Sequence, residues 1–164
     1  MMVIKVKNNN TLILDDFKFK CCVGKKGSTK VKKEGDKKTP KGIFSLGGLL
    51  FRKDRHLKPL TKIKVTPIKK NMVWCNDVES SKYNKLTKIS NRFKYEKLFR
   101  SDYKYDFVIP INYNSPYPIK NKGSAIFIHL TKNYKGTAGC IGIKKEDFLV
   151  LLKLINKKTK IKII

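Results

Sequence analysis

Hydrophobic and polar residues alternate over several short stretches of the chain. Val3-Ile4-Lys5-Val6-Lys7, Asp16-Phe17-Lys18-Phe19-Lys20 and Lys62-Ile63-Lys64-Val65 repeat with a period of two, the pattern of strands buried on one face. Phe107-Val108-Ile109-Pro110-Ile111 and Ala125-Ile126-Phe127-Ile128-His129 are apolar runs of strand length, expected to be covered on both faces. One segment has helical spacing. From Lys144 onward, Phe148, Leu149, Leu151, Leu152 and Ile155 fall on one side, and Glu146 and Asp147 suit the first turn, where carboxylates offset the helix dipole. This helix stops at Asn156-Lys157-Lys158, and Lys160-Ile161-Lys162-Ile163 resumes as a strand. Gly24 to Gly42 reads as a long surface loop, and residues 79–103 as short helical turns. No internal repeat or linker is visible, so residues 1–164 are expected to form one mainly β domain with one helix.

Composition adds a core and a charge. Hydrophobic residues make up 40% of the 164, enough to exclude disorder throughout, and no run approaches the roughly 18 apolar residues of a membrane span. Lys and Arg number 39 against 12 Asp and Glu, a net charge of +27, which favours anionic partners. Only Arg52, Arg55, Arg92 and Arg100 are arginine, so the planar fork that reads guanine bidentately is scarce. The basic residues are also scattered along the chain. Weak, salt-sensitive attraction to polyanions is expected, without sequence-specific nucleic-acid recognition.

Cys21, Cys22, Cys75 and Cys140 form no CxxC pair and have no His-rich companion, which argues against structural zinc. Neighbouring strand residues point to opposite faces, so Cys21 and Cys22 are not expected to pair with each other. Free thiols fit a reducing compartment or a catalytic role. Residues 1–20 read as strands and not as an export signal, which by itself points to the cytoplasm.

Gly123 to Ile143, GSAIFIHLTKNYKGTAGCIGI, is the most informative stretch. His129 ends an apolar strand, and Cys140 follows after a ten-residue excursion. A cysteine nucleophile needs a base within reach and backbone N–H donors for the oxyanion. Gly139 allows the backbone to approach a substrate and frees the amide of Cys140 to point at it. The imidazole is expected to lower the thiol pKa from its ordinary value of about 8.5. The plainer reading stays open: a cysteine after glycine also serves as a small buried hydrophobe, and a histidine at a strand end as a hydrogen-bonding group.

Thr137, Gly139 and Cys140 resemble the [Ser/Thr]-x-Gly-Cys signature of the L,D-transpeptidase (YkuD) catalytic domain, with His129 in the place of its base. The likeness extends to Cys21-Cys22-Val23-Gly24-Lys25-Lys26-Gly27 and to Glu34-Gly35-Asp36 with Thr39-Pro40-Lys41-Gly42-Ile43-Phe44. It continues through Trp74-Cys75-Asn76-Asp77 with Tyr83-Asn84, Tyr95-Glu96-Lys97-Leu98 with Arg100-Ser101-Asp102-Tyr103, and Tyr113-Asn114. Two positions depart from the commonest signature: Ala138 stands where histidine is usual, and Gly142 where asparagine is.

The resemblance implies an L,D-transpeptidase-like β-sandwich with the helix of the C-terminal half, 144–156, packed on a sheet. It implies acyl transfer on peptidoglycan stem peptides, with Cys140 as nucleophile, His129 as base, and the backbone of Gly139 and Cys140 supporting the oxyanion. Thr137, Tyr113, Asn114 and Trp74 are candidate pocket residues. No metal or organic cofactor is implied, and a monomer is expected. The thioester formed at the third stem residue passes to an amine in 3→3 cross-linking, or to water in an L,D-carboxypeptidase. The family's substrate places the protein outside the cytoplasm, against the reading of residues 1–20. A non-enzymatic alternative is a basic protein that binds an anionic polymer, with Cys140 merely buried.

Other residues attract plainer readings. Trp74 and Cys75 suit core or pocket wall, and Glu34 and Asp36 suit ion pairs and turns in a lysine-rich loop. His56 lies between charged neighbours and shows no partner in the sequence.

Overall fold

The computed structural model describes residues 2–164. Strand β1 (Val3–Lys7) is followed by β2 (Thr11–Leu14), β3 (Phe17–Cys22), β4 (Ser28–Thr29), β5 (Thr39–Pro40), β6 (Gly42–Ser45), β7 (Leu49–Phe51) and β8 (Val65–Pro67). Then come β9 (Met72–Cys75), β10 (Leu86–Lys88), β11 (Tyr95–Lys97), β12 (Phe107–Pro110), β13 (Phe127–Leu130), β14 (Ile141–Ile143), helix α1 (Lys145–Leu154) and β15 (Lys160–Ile163). Ten strands form one sheet in the order β6-β15-β1-β2-β3-β14-β13-β12-β7-β8. A bridge between Leu46, just after the edge strand β6, and Ile111, just after β12, ties distant parts of this sheet together, so it curls. A second sheet, β10-β9-β11, has three strands, and β4 and β5 form a short parallel pair.

Alternation along the strands divides the interior. Ile4, Val6, Leu12, Leu14, Ile128, Leu130 and Ile161 join Phe148, Leu151 and Leu152 of α1 in the main core. The helix thus packs on the sheet through the apolar side its spacing foretold. At about 25 cal/mol per Å² of apolar surface, this burial is the main force holding the helix in place. On the other side of β12 and β13, Val108, Phe127 and Cys140 pack with Leu98, Tyr105 and Trp74 in a second cluster. Period-two alternation along β13 therefore sends Phe127 and His129 to this second side and Ile128 and Leu130 to the first.

Several local expectations need correction. Gly24 to Gly42 is not a surface loop: it contains β4 and β5, and Thr39 and Lys32 within it are buried. Residues 79–103 contain no helix; β10 and β11 flank β9 there, because pairing on Trp74 supplies partners that local propensity cannot foresee. The strand expected over Lys62–Val65 begins only at Val65, where pairing with Leu49 starts. Ala125 and Ile126 lie outside β13, and Ala125 has a positive φ of 53°. His56 does have a partner: its Nε2 lies 2.7 Å from Asp106, and its ring rests 4.8 Å from that of Phe107. Among the described residues no helix is long and apolar enough to cross a membrane.

Candidate active site

The parallel pairing of β13 with β14 matches Ile128 with Ile141 and His129 with Gly142. That register places Cys140, one residue before β14, beside Phe127, and sets His129 on the same side of the sheet. Both side chains line a cavity of about 510 Å³. The thiol donates to the carbonyl of Ala125 at 3.2 Å and accepts the Phe127 amide at 3.3 Å. Burial pushes this thiol well above its ordinary pKa, reinforced by the negative charge of Glu96. Among the described residues no hydrogen bond joins Cys140 to His129. The expected lowering of the thiol pKa by the imidazole is therefore corrected: burial raises it instead, and backbone groups hold the Cys140 thiol.

His129 is 6% exposed, and its Nδ1 lies 2.9 Å from the Leu130 carbonyl. A carbonyl only accepts, so Nδ1 carries the hydrogen and Nε2 is left as the acceptor of a neutral ring. Burial lowers the imidazole pKa to about 4, with Lys104 and Arg100 adding to the effect. The ring lies 5.3 Å from Tyr105, whose hydroxyl donates to Glu96. Burial raises the Glu96 carboxyl above the usual carboxylate range.

The turn before Cys140 is tied by one side chain. Thr137 Oγ1 donates to the Cys140 carbonyl at 2.6 Å and accepts the Gly139 amide at 3.0 Å. Gly139 has φ 146°, and a Cβ there would meet the Lys38 carbonyl at 3.0 Å, so the position is restricted to glycine. The amide of Cys140 donates to no acceptor among the described residues. An N–H left free beside a thiol is a donor open to an incoming acceptor.

Thr137 lines the cavity with His129 and Cys140, whereas Trp74, Tyr113 and Asn114 stand outside its lining. Trp74 packs edge-on against Phe127 and donates to Asn84 Oδ1 at 2.9 Å. The same oxygen accepts the Ala125 amide at 3.0 Å, and Asn84 Nδ2 donates to the carbonyls of Tyr113 and Asn114. Asn114 in turn bonds to Ile119 and Gly123, and Tyr113 packs edge-on against Phe44. These residues brace the segment entering β13.

Charged walls went unforeseen. Lys25, Lys32, Lys37, Lys104, Lys135 and Arg100 line the cavity against Glu34 and Glu96, a balance that favours an anionic ligand. Lys32 is 5% exposed and pairs with Asp36 at 2.6 Å, the partner a buried cation requires. Asp36 also accepts the amides of Lys33 and Lys38, so the expected ion pair and turn are both present. Glu34 accepts instead from the Tyr83 hydroxyl, which also receives the Gly123 amide. Among lysines so numerous, nothing in the sequence sets Lys32 apart. No three His, Cys, Asp or Glu side chains among the described residues gather closely enough to hold a metal ion.

The family model for the L,D-transpeptidase catalytic domain, YkuD, matches residues 1–163. Among solved structures, the chain is similar to a variant of the helical cell shape determining protein Pgp2 from Campylobacter jejuni. That match has a TM-score of 0.50 and 18% identity, and covers 99% of this chain and 46% of that one. It is also similar to an L,D-transpeptidase from Mycobacterium smegmatis, with a TM-score of 0.45, 12% identity, and coverage of 99% and 57%. The chain thus spans less than half of the Pgp2 chain. No curated protein matches it.

Proposed function

The chain belongs to the L,D-transpeptidase catalytic domain family, which acts on peptidoglycan, and on that premise we propose that it transfers acyl groups between peptidoglycan stem peptides through Cys140. In this reading Cys140 Sγ attacks the carbonyl that joins the third stem residue, a diamino acid, to D-alanine. His129 Nε2 takes the thiol proton as the S–C bond forms. The tetrahedral oxyanion accepts the Cys140 N–H, and its collapse breaks the C–N bond. D-alanine leaves with the proton returned by His129. A side-chain amine of a second stem then resolves the thioester into a 3→3 cross-link.

The observation that carries this reading is the placement of His129 and Cys140 on one cavity, with the Cys140 amide unengaged. A buried thiol of raised pKa supports a concerted route, in which the sulfur loses its proton only as it attacks. The cationic walls suit a stem peptide rich in carboxylates. A part in cell shape belongs to the same proposal, since the structure of similar fold from Campylobacter jejuni is described as a cell shape determinant.

Purified tetrapeptide muropeptides, with products resolved by mass spectrometry, test this directly. Dimers with loss of D-alanine support transpeptidation; tripeptide without dimers supports the carboxypeptidase. We place the activity outside the cytoplasm, where cross-linking meets its substrate. Fractionation with a C-terminal tag checks the compartment. Protein confined to the cytoplasm and making only tripeptide would replace cross-linking with the trimming of recycled stems.

A further inference from the structure

The amide of Cys140 is useful as an oxyanion donor only if its peptide plane is held in one orientation. That plane is fixed from behind by a residue outside the cavity lining. Thr39, fully buried on β5, donates its hydroxyl hydrogen to the Gly139 carbonyl at 2.8 Å. The direction of donation is settled because the same oxygen accepts the Gly24 amide at 2.9 Å. Its own backbone N–H bonds to Gly27 at 2.9 Å, so the side chain stands on an anchored strand.

In a trans peptide the C=O and the next N–H point in opposite directions. Ser115-Pro116 is the single cis bond among the described residues, so the Gly139–Cys140 bond is trans. A carbonyl pinned on Thr39 therefore turns the Cys140 N–H away from Thr39, which lies outside the lining of the cavity that Cys140 borders. Gly139 needs this restraint because glycine rotates most freely. Thr137 holds the other side of the turn, through the Gly139 amide and the Cys140 carbonyl, and leaves the intervening peptide plane to Thr39.

We infer that Thr39 is a positioning residue for acyl transfer, acting through the Gly139 peptide to aim the Cys140 amide at the oxyanion. This inference rests on the acyl-transfer reading given above. It concerns a hydroxyl that touches neither substrate nor the reacting sulfur.

Two reactions of the same thiol separate positioning from packing. Iodoacetamide alkylates sulfur by forming an S–C bond and expelling iodide, with no oxyanion. A carbapenem acylates it: the S–C bond forms, the lactam C–N bond breaks, and the nitrogen takes a proton, through an oxyanion. Both are followed on the purified protein by mass, with peptides resolved to separate Cys140 from the other three cysteines. Thr39→Val should slow acylation about 10–100-fold while leaving alkylation of Cys140 within about twofold, as expected for a misaimed oxyanion donor. Thr39→Ser, which restores the hydroxyl, should recover acylation. If Thr39→Val does not fold, Thr39→Ala removes the hydroxyl without adding a methyl against the Gly139 carbonyl, and the same comparison applies. Unchanged acylation in the folded variants, or acylation and alkylation falling together, would overturn the role of Thr39. Folded wild-type protein that is alkylated but never acylated would contradict acyl transfer itself.

Discussion

Cys22 Sγ stands 2.8 Å from the point where a Cβ on Gly142 would lie. The two residues pair directly across β14 and β3, and the Thr131 side chain closes the same space at 3.2 Å. The asparagine of the commonest signature has no room here. Cys22 and Thr131 fill the space beside the register position that faces His129. Gly142→Asn should therefore destabilise the protein by about 1–3 kcal/mol through overpacking, measured by urea denaturation. Cys22→Ala in the same chain should return part of that loss. Asparagine tolerated at no cost would mean that the strand pair yields more easily than its packing indicates.

Cys140→Ser should abolish turnover and leave the melting temperature nearly unchanged, since the hydroxyl is a far weaker nucleophile in the same place. His129→Ala should slow turnover about 10²–10⁴-fold, the range for a lost positioned base. Half of wild-type activity in the serine variant would remove Cys140 from the nucleophile's role.

The imidazole sets an acid limit. Burial lowers the His129 pKa to about 4, so the ring is neutral and able to accept a proton at neutral pH. Activity should hold from neutrality down to about pH 5 and fall as pH passes the folded pKa. Stability has its own sign: a histidine with a depressed folded pKa favours the folded state above its unfolded value of about 6.5, and loses this contribution as pH falls from there toward 4. Acid denaturation followed by circular dichroism should show His129→Gln to be less sensitive than wild type across that window.

Asn84 is the brace behind the site. Its amide serves the Trp74 indole, the Ala125 amide and the carbonyls of Tyr113 and Asn114. Asn84→Ala leaves the buried Ala125 amide and these part-buried groups without partners and should cost about 2–4 kcal/mol. Turnover should fall as well, because Ala125 both receives the Cys140 thiol hydrogen and leads into β13.

Local pattern carried the strands Val3–Lys7, Phe107–Pro110 and Lys160–Ile163 and the helix over Lys145–Leu154, because each buries one periodic face. His129 and Cys140 stand out together through the resemblance of Thr137, Gly139 and Cys140 to the family signature, since their spacing alone leaves the plainer reading open. Residues 79–103 were not legible, since β10 and β11 exist through pairing with β9 and lack strong alternation of their own. Thr39, Lys32 and Glu96 were hidden for a different reason. Thr39 acts across the 100 residues that separate it from Gly139, and Lys32 and Glu96 matter because the fold sets them on the cavity lined by Cys140; no spacing rule encodes either. Asn84 appeared only as part of a motif; its four hydrogen bonds explain what the motif holds together.

The surface charge yields a negative expectation. A net charge of +27 with four arginines should give duplex DNA binding that collapses as salt rises and shows no preferred sequence. Selection from a random duplex pool, followed by titration at two salt concentrations, checks this. A selected site bound about a thousandfold better than random DNA would contradict it.

The most direct measurement is release of D-alanine from purified tetrapeptide muropeptides by wild-type protein and by Cys140→Ser, with the products read by mass spectrometry. The expected result is D-alanine release by wild type alone, with a transient mass increase on the peptide containing Gly139-Cys140. Intact tetrapeptide after incubation with folded wild-type protein, or equal release by the serine variant, would contradict acyl transfer through Cys140.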